Sequence, residues 1–528
     1  MITTMVIAPQ QLQHMDAQEL RALAEGLMAK LVDKDQLLIS KDQEIHFKQT
    51  KIDLLTHEIA RYKRVQFAAK SEKLNADQRS LLEETIDADL AALEAELKAL
   101  SPAPAPDQAD TQETAPKAKP RRAPLPAHLP RVEITHEPEN TQCGCGCQMK
   151  RIGEDVSEKL DYAPGIFTVE RHVRGKWACG ACQKLVQAPV PAQVIDKGIP
   201  TSGLLADVAV SKFGDHLPLY RLESIYARAG VPLPRSTLAQ WMGQCGVQLQ
   251  PLVDALIAEM LAHAVLHADE TPVQMLKPGT GKTHRAYLWA YSTGAFEPMK
   301  AVVYEFCESR SGEHVRAFLG QWCGSLVCDD YAGYKASFAH GITEVGCMAH
   351  ARRKFFDLHA NGTSQIAGQA LQYIGLLYDI EREVRDLHAD QRQAIRQSKA
   401  KPIADALHGW MLAQRAKVFS GATAKALDYS LKRWDALTRY IDDGHLPIDN
   451  NWIENQMRPI AIGRKNWLFA GSLMAGKRAA AIMSLIQSAK LNGLDPHAYL
   501  RDVLQRLPTH KASQIGELLP HRWRRAAA

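Results

Sequence analysis

The chain has 528 residues, more than one hydrophobic core accommodates, so several domains are expected. At 46% hydrophobic and 23% charged residues it has the balance of a water-soluble protein, and its longest apolar stretch, PLVDALIAEMLAHAVL, is broken by Asp254, Glu259 and His263, which argues against a membrane span. A net charge of +5 is by itself a weak pointer to a polyanionic partner, and local clustering says more. The first residues, MITTMVIAPQ, lack the basic start and cleavage site of a secretory signal, so a cytoplasmic location is expected. In that compartment the ten cysteines are thiols or metal ligands rather than disulfides.

Residues 15–100 are poor in Gly and Pro and read as helical. Leu31, Leu38, Ile45, Ile52 and Ile59 recur at heptad spacing as a-positions, with Leu20, Leu27, Lys34, Lys41, Lys48, Leu55 and Tyr62 as the d series. A solvated helical hairpin closed at AKSEKLNADQ would fit. A multimerisation coiled coil fits better, because no nearby apolar segment covers the stripe within one chain. Residues 101–130 turn Pro- and Ala-rich and predict an extended linker. Its KAKPRR run, ending in Arg121 and Arg122, suits a basic arm lying along DNA.

Over 131–195 the spacing Cys179-x-x-Cys182 lets two thiolates bind one tetrahedral Zn²⁺. The second pair comes from CGCGC, with Cys143 and Cys145 expected and Cys147 as the alternative. Alternating residues between the two clusters predict the hairpin of a zinc ribbon. Residues 200–255 then read helix, Gly-Val-Pro turn, helix: a helix-turn-helix-like segment whose second helix begins near Arg235 and Ser236. Such geometry also occurs in cores with no DNA role, and the spacing leaves that choice open.

From 264 the pattern changes to strands. AVLHADETPVQ, AYLWAYSTG and AVVYEFCES are three apolar runs separated by turns, GEHVRAFLGQW is a helix, and GSLVCDDYAGY is a fourth strand. This order opens an RNase H-like mixed sheet, in which the first and fourth strands are neighbours, so Asp269 and one aspartate of the 329/330 pair would sit together. Two close carboxylates repel unless divalent cations lie between them, and hard oxygen ligands suit Mg²⁺ or Mn²⁺. Glu454 is the candidate third acid. Asn451-x-x-Glu454 also resembles a helix capping box, but the glutamate adjoins a stretch with Arg458, Arg464, Lys465, Lys477 and Arg478 and no acid from 458 to 478. Arg352, Arg353 and Lys354 are further candidates for phosphate contacts, and Cys347-x-x-His350 has half-site metal spacing with no evident second half.

HADETPVQ, CDDYAGY, CMAHARRKFF and DNNWIENQMRPIAIGRKNWLFAGS resemble the catalytic segments of the transposases of insertion sequence family 66. FAAKSEKL, RIGEDVSEKLDY, DHLPLYRLESIYARAGVPLPRSTLAQW and the terminal ELLPHRW are similar to other parts of that family. The resemblance implies an α/β, RNase H-like catalytic domain over 260–356 and 441–495, interrupted by a helical insertion over 357–440 and followed by a helical tail over 496–528. It implies an Mg²⁺-dependent Asp-Asp-Glu transposase with Asp269, Asp329 and Glu454 as catalytic metal ligands, because the family reads Asp-Gly-Tyr where this chain has Asp329-Asp330-Tyr331. Structural Zn²⁺, DNA ends and target DNA, a homo-oligomer, two small accessory proteins of the same element and a place at the nucleoid complete the expectation. The alternative is a non-catalytic DNA-binding regulator with a degenerate nuclease-like core.

Overall fold

The computed structural model of the chain describes residues 17–67, 76–100 and 125–525, apart from 139, 146, 164, 278–281 and 363. Arg121, Arg122 and most of the linker therefore lie outside the described residues. Two compact units are present: Met1–Gln66 with Leu93–Ala115, and Phe67–Ala92 with Pro116–Ala528.

The smaller unit is built on α1 (Ala17–Phe67), 51 residues long. Leu38, Ile45 and Ile52 of the a series and Leu55 of the d series are exposed on it. Two of the three seam lysines are engaged locally: Lys41 and Lys48 each reach Glu44 at 2.6 Å, and their hydrogen bonds and charges hold that carboxyl down to about 2. The helix α2 (Ala76–Leu100) is not all zipper. Its residues 76–92 belong to the larger unit, where Leu90, Ala91 and Ala92 are buried and Asp89 pairs with Arg478.

In the larger unit β1 (Arg131–His136), β2 (Lys150–Ala163), β3 (Ile166–Ala178) and β4 (Leu185–Gln187) form a ribbon of order β1-β3-β2, with β4 also on β3. Strands β2 and β3 are the expected antiparallel hairpin. Helix α3 (Ser202–Ala209) runs into a π turn at Val210–Gly214, and α4 (Leu219–Arg228) and α5 (Arg235–Met260) follow. Helices α4 and α5 are the expected helix, turn and helix, with the second starting at Arg235. Leu238, Trp241, Met242, Cys245, Leu249, Leu252 and Leu256 are all buried in the main core. What α5 leaves exposed is Gln240, Gln248, Gln250, Pro251, Asp254 and Ala258, with no cation among them. Most of α5 is thus spent on packing, while Arg235, Ser236 and Thr237 at its start are partly exposed.

The second sheet comprises β5 (Val265–Leu276), β6 (Thr283–Thr293), β7 (Val302–Cys307), β8 (Ser325–Cys328) and β9 (Thr343–Gly346), in the order β7-β6-β5-β8-β9. The first three are antiparallel neighbours, whereas β8 and β9 run parallel to β5. Helix α6 (Gly312–Leu319) precedes β8, α7 (Ala332–Phe338) lies between β8 and β9, and α8 (Met348–Gly362) follows β9. A helical block comes next: α9 (Gln365–Val384), α10 (Ala389–Ile395), α11 (Lys401–Lys417), α12 (Gly421–Lys432) and α13 (Trp434–Thr438). The chain returns to the sheet as α14 (Asn451–Trp467) and α15 (Leu473–Leu491), then ends in α16 (Pro496–Arg506) and a 3-10 turn at Ala512–Leu518.

Strand alternation divides the core in two. Val265, Val327 and Val345 face the helical block and pack with Ile374, Leu377 and Leu437. Leu266, Ala268, Leu326 and Cys328 face the other way, into a core shared with α5 and α15. Each such aliphatic side chain contributes at most about 1.5–3 kcal/mol, so the paired layers hold β5 and β8 from both faces. The C-terminal segment is part of this body: Tyr499, Leu500, Val503 and Leu504 are buried, and the Tyr499 hydroxyl donates to the Leu518 carbonyl at 2.9 Å. Among the described residues no helix is long and apolar enough to cross a membrane.

Candidate active site and zinc centre

Strands β5 and β8 pair in parallel register, Val265 with Ser325 and His267 with Val327. Two residues further along each chain, Asp269 and Asp329 follow at the same end of the sheet. Both have the parity of Val265 and Val327, the side of the sheet that faces the helical block, whereas the buried residues of α14 pack in the opposite core. Glu454 is in the first turn of α14, and its charge, with that of Asp329, reaches Asp269. Burial first, then the charge of Glu270, and then those of Glu454 and Asp329 push the Asp269 carboxyl up to about 8, against a stabilising bond from the Glu270 N–H at 2.9 Å. Like charges gathered in a poorly solvated place are the electrostatic signature of a cation site.

Glu454 supports that reading. Its Oε1 is buried without a hydrogen-bond partner, and His350 Nδ1, 3.7 Å away, is equally unpartnered among the described residues. Cys347 Sγ completes a three-ligand group with them, within 4.8 Å. Burial pushes the Cys347 thiol up to about 12, although the Asn450 N–H donates to its sulfur at 3.2 Å. Cys347 is thus a packed thiol, and the unpartnered donors of the group are His350 Nδ1 and Glu454 Oε1. Asp269, Asp329 and Glu454 offer oxygen donors, the type that Mg²⁺ and Mn²⁺ take.

Three residues that set this geometry were not singled out by the sequence. Asn450, 1% exposed, ties α14 to β5: its Nδ2 donates to the Ala268 carbonyl at 2.9 Å, so its Oδ1 accepts from His267 Nδ1 at 2.8 Å. Its carbonyl also accepts from the Glu454 N–H at 3.3 Å. Burial pushes His267 down to about 4, so it serves as a neutral donor. Glu270, next to Asp269, has the opposite strand parity. Its carboxylate, with a side chain only 1% exposed, receives Arg310 Nε at 2.8 Å and the Tyr334 hydroxyl at 2.6 Å. Their positions within HADE and DNN were the available signal, but only tertiary contacts reveal what they bond.

The adjacent aspartates part in the same way. Asp330 is exposed, and its carboxylate pairs with Lys335 at 2.9 Å and Arg433 at 3.5 Å. Asp329 Oδ1 accepts from the Tyr331 N–H at 2.9 Å, closing the turn after β8. Of the candidate phosphate contacts, Arg352, Arg353, Lys354, Arg458 and Lys465 are exposed. Arg464 is half-buried and committed to β5, donating to Thr271 Oγ1 at 3.0 Å and to the Pro272 carbonyl.

At the ribbon, Cys143, Cys145, Cys179 and Cys182 bring their sulfurs within 4.8 Å of one another, with Cys143 beside Cys182 at 2.9 Å and Cys145 beside Cys179 at 3.6 Å. Four thiolates about 2.3 Å from one Zn²⁺ would stand about 3.8 Å apart, so this cluster fits the ion. The N–H groups of Cys182 and Ala181 hold the Cys179 thiol down to about 6, favouring the thiolate a metal takes. Cys147 lies outside the cluster and is exposed, with its carbonyl spent on the Cys143 N–H at 2.9 Å. Metal analysis of the purified chain should therefore find zinc retained in Cys147→Ser and lost from Cys143→Ser and Cys179→Ser.

Four stretches of the chain match known families. Residues 197–478 match the family described as Transposase IS66 family, and 484–521 match the IS66 C-terminal element. Residues 140–183 match the zinc-finger binding domain of transposase IS66, and 54–134 match a segment described as Transposase C of IS166 homeodomain. Similar proteins of Sinorhizobium fredii (strain NBRC 101917 / NGR234) include three uncharacterized ones. With y4jD the identity is 38% over 418 residues, 76% of this chain and 81% of the relative. With y4qI it is 41% over 410 residues, 75% and 76% of the two chains, and with y4hP 35% over 430 residues, 77% of each. The first family match alone spans more than half of the sequence, and on that ground the chain belongs to the IS66 family of transposases.

Proposed function

We propose that the larger unit is an RNase H-like nuclease core that cuts DNA at the ends of its own element and joins the exposed 3′ hydroxyls to target DNA. The observation that carries this is the approach of Glu454 and Asp329 to Asp269, whose carboxyl is raised by burial and by Glu270 first and then by the charges of those two acids. The strand order β7-β6-β5-β8-β9, three antiparallel strands followed by two parallel ones, supports the fold assignment. Bound between the carboxylates, Mg²⁺ or Mn²⁺ ions would activate the attacking oxygen and stabilise the leaving one in an in-line displacement.

The chain's own residues prepare that step. Asp269 and Asp329 come from neighbouring strand ends, and Asn450 fixes the first turn of α14 so that Glu454 faces them. Water is the nucleophile in the cut and the 3′ hydroxyl in the joining, so no covalent enzyme intermediate is required. Exposed Arg352, Arg353, Arg458 and Lys465 form the phosphate track beside the acids. The zinc ribbon reads the element ends, and the apolar stripe of Leu38, Ile45, Ile52 and Leu55 on α1 pairs subunits so that two ends are held at once. The deciding experiment is a strand-transfer assay with labelled element ends, a target plasmid and Mg²⁺ or Mn²⁺. A joined product is expected. Hydrolysis without joining would reduce the protein to a nuclease, and binding without either would make it a regulator.

A further inference from the structure

Helices α8 and α9 turn complementary faces toward a cleft of which the catalytic reading uses Arg352 and Arg353 alone. Ala349, Arg352, Arg353 and Phe356 line one wall and Gly375, Tyr378, Asp379 and Arg382 the other, each set at i, i+3, i+4, i+7 along its helix, and Asn451 closes one end. The volume is about 480 Å³, within the range of roughly 300–1,000 Å³ in which pockets enclose a small ligand and far too small for a duplex. Its position is specific. Asn451 is one helical turn before Glu454 on α14, and Ala349 is next to His350, whose ring faces the Glu454 carboxylate.

The lining has the chemistry of a nucleotide. Arg352 and Arg353 are exposed and have no carboxylate partner among the described residues, while Arg382 shares its charge with Asp379. Phe356 is 49% exposed, and the Arg352 guanidinium lies 5.7 Å from its ring centre. Tyr378 is held in place, its hydroxyl donating to Asp449 Oδ2 at 2.8 Å. A guanidinium fork suits a phosphate, and an aromatic face left open beside it suits a base, whichever base it is. The floor is open as well: a Cβ added at Gly375 meets nothing within 4 Å.

We propose that the α8–α9 cleft is a subsite for one unstacked nucleotide of single-stranded DNA, its phosphate on Arg352 and Arg353 and its base against Phe356. The proposal rests on DNA being the substrate of the adjacent carboxylates, and it adds that the strand at the site is locally unpaired. Extruding a nucleotide from the stack gives the enzyme a fixed point on the strand beside the phosphate that is attacked.

The test is fluorescence anisotropy on the full-length chain without divalent cations, using two probes: a labelled thymidine oligonucleotide and a labelled blunt duplex of mixed sequence. Gly375→Trp fills the cleft from a position with room for the side chain, and Phe356→Ala removes the platform without adding bulk. Both should weaken single-strand binding by about 5- to 100-fold, the range for losing one base–aromatic stack, and leave duplex binding within about twofold. Phe356→Ala carries the test if Gly375→Trp fails to fold. Unchanged single-strand binding, or an equal loss for both probes, overturns the subsite. Neither readout uses Asp269, Asp329 or Glu454. A catalytic reading refuted by strand transfer would leave the anisotropy result standing, and an overturned subsite would leave strand transfer intact.

Discussion

Asp329→Asn should abolish strand transfer, lowering it by at least about a hundredfold, while Asp330→Asn should leave it within a few-fold of the parent. Joining of labelled element ends in Mg²⁺ and in Mn²⁺ measures both. The contrast follows from strand parity. Asp329 follows β8 at the end of the sheet where β5 carries Asp269, and the charge of Asp329 is felt at Asp269. Asp330 points the other way, into an exposed pair with Lys335. Losing that pair costs about 0–1 kcal/mol, and Arg433 keeps its contact with Glu344. If Asp329→Asn joins DNA as the parent does, the carboxylate assignment is wrong. If both variants are dead, the turn itself and not one carboxylate is essential.

Asp89→Ala should destabilise the larger unit by about 3–5 kcal/mol, the usual result of removing one partner from a buried ion pair. Arg478 and Asp89 have side chains 8% and 1% exposed, so the guanidinium would be left in a dry environment without its counter-ion. Helix α2 would loosen with it. Limited proteolysis should cut near 76–92, and urea unfolding followed by tryptophan fluorescence should shift to lower denaturant. The double variant Asp89→Ala, Arg478→Met should recover part of the loss, since it removes the stranded charge. Gly243→Ala reaches the same contact by another route: a Cβ there would stand 2.1 Å from the Ala88 carbonyl oxygen, which only a backbone shift relieves.

What was legible in the sequence was what local period encodes. The runs HADETPVQ and SLVCDD announced strands β5 and β8, and their carboxylates could be placed at one sheet end before any contact was known. The Cys179–Cys182 knuckle announced its metal in the same way. Choices that depend on a distant partner were hidden. Three cysteines at alternate positions look equivalent until the fold excludes Cys147. Helix α5 carries a turn-and-cap pattern that suits DNA reading, and only packing shows that its apolar positions face the core on most sides. Asp89 looks like one more solvated acid of a zipper, because Arg478 lies 389 residues away. Glu270 could have been a second metal ligand beside Asp269 until Arg310 and Tyr334 were seen to hold it on the opposite face.

The double bond of Asn450 to β5 has a consequence for how this protein can change over time. The third acid is aligned by an amide that grips the very strand bearing the first, through the Ala268 carbonyl and His267, and by Arg464 gripping the same strand further on. None of these bonds passes through helices α9 to α13. Helices α9 to α13 therefore bear on the third acid only indirectly, through their packing against Val265 of β5 and Val327 of β8. Substitutions on the exposed faces of those helices can accumulate while the bonds that align Glu454 stay in place.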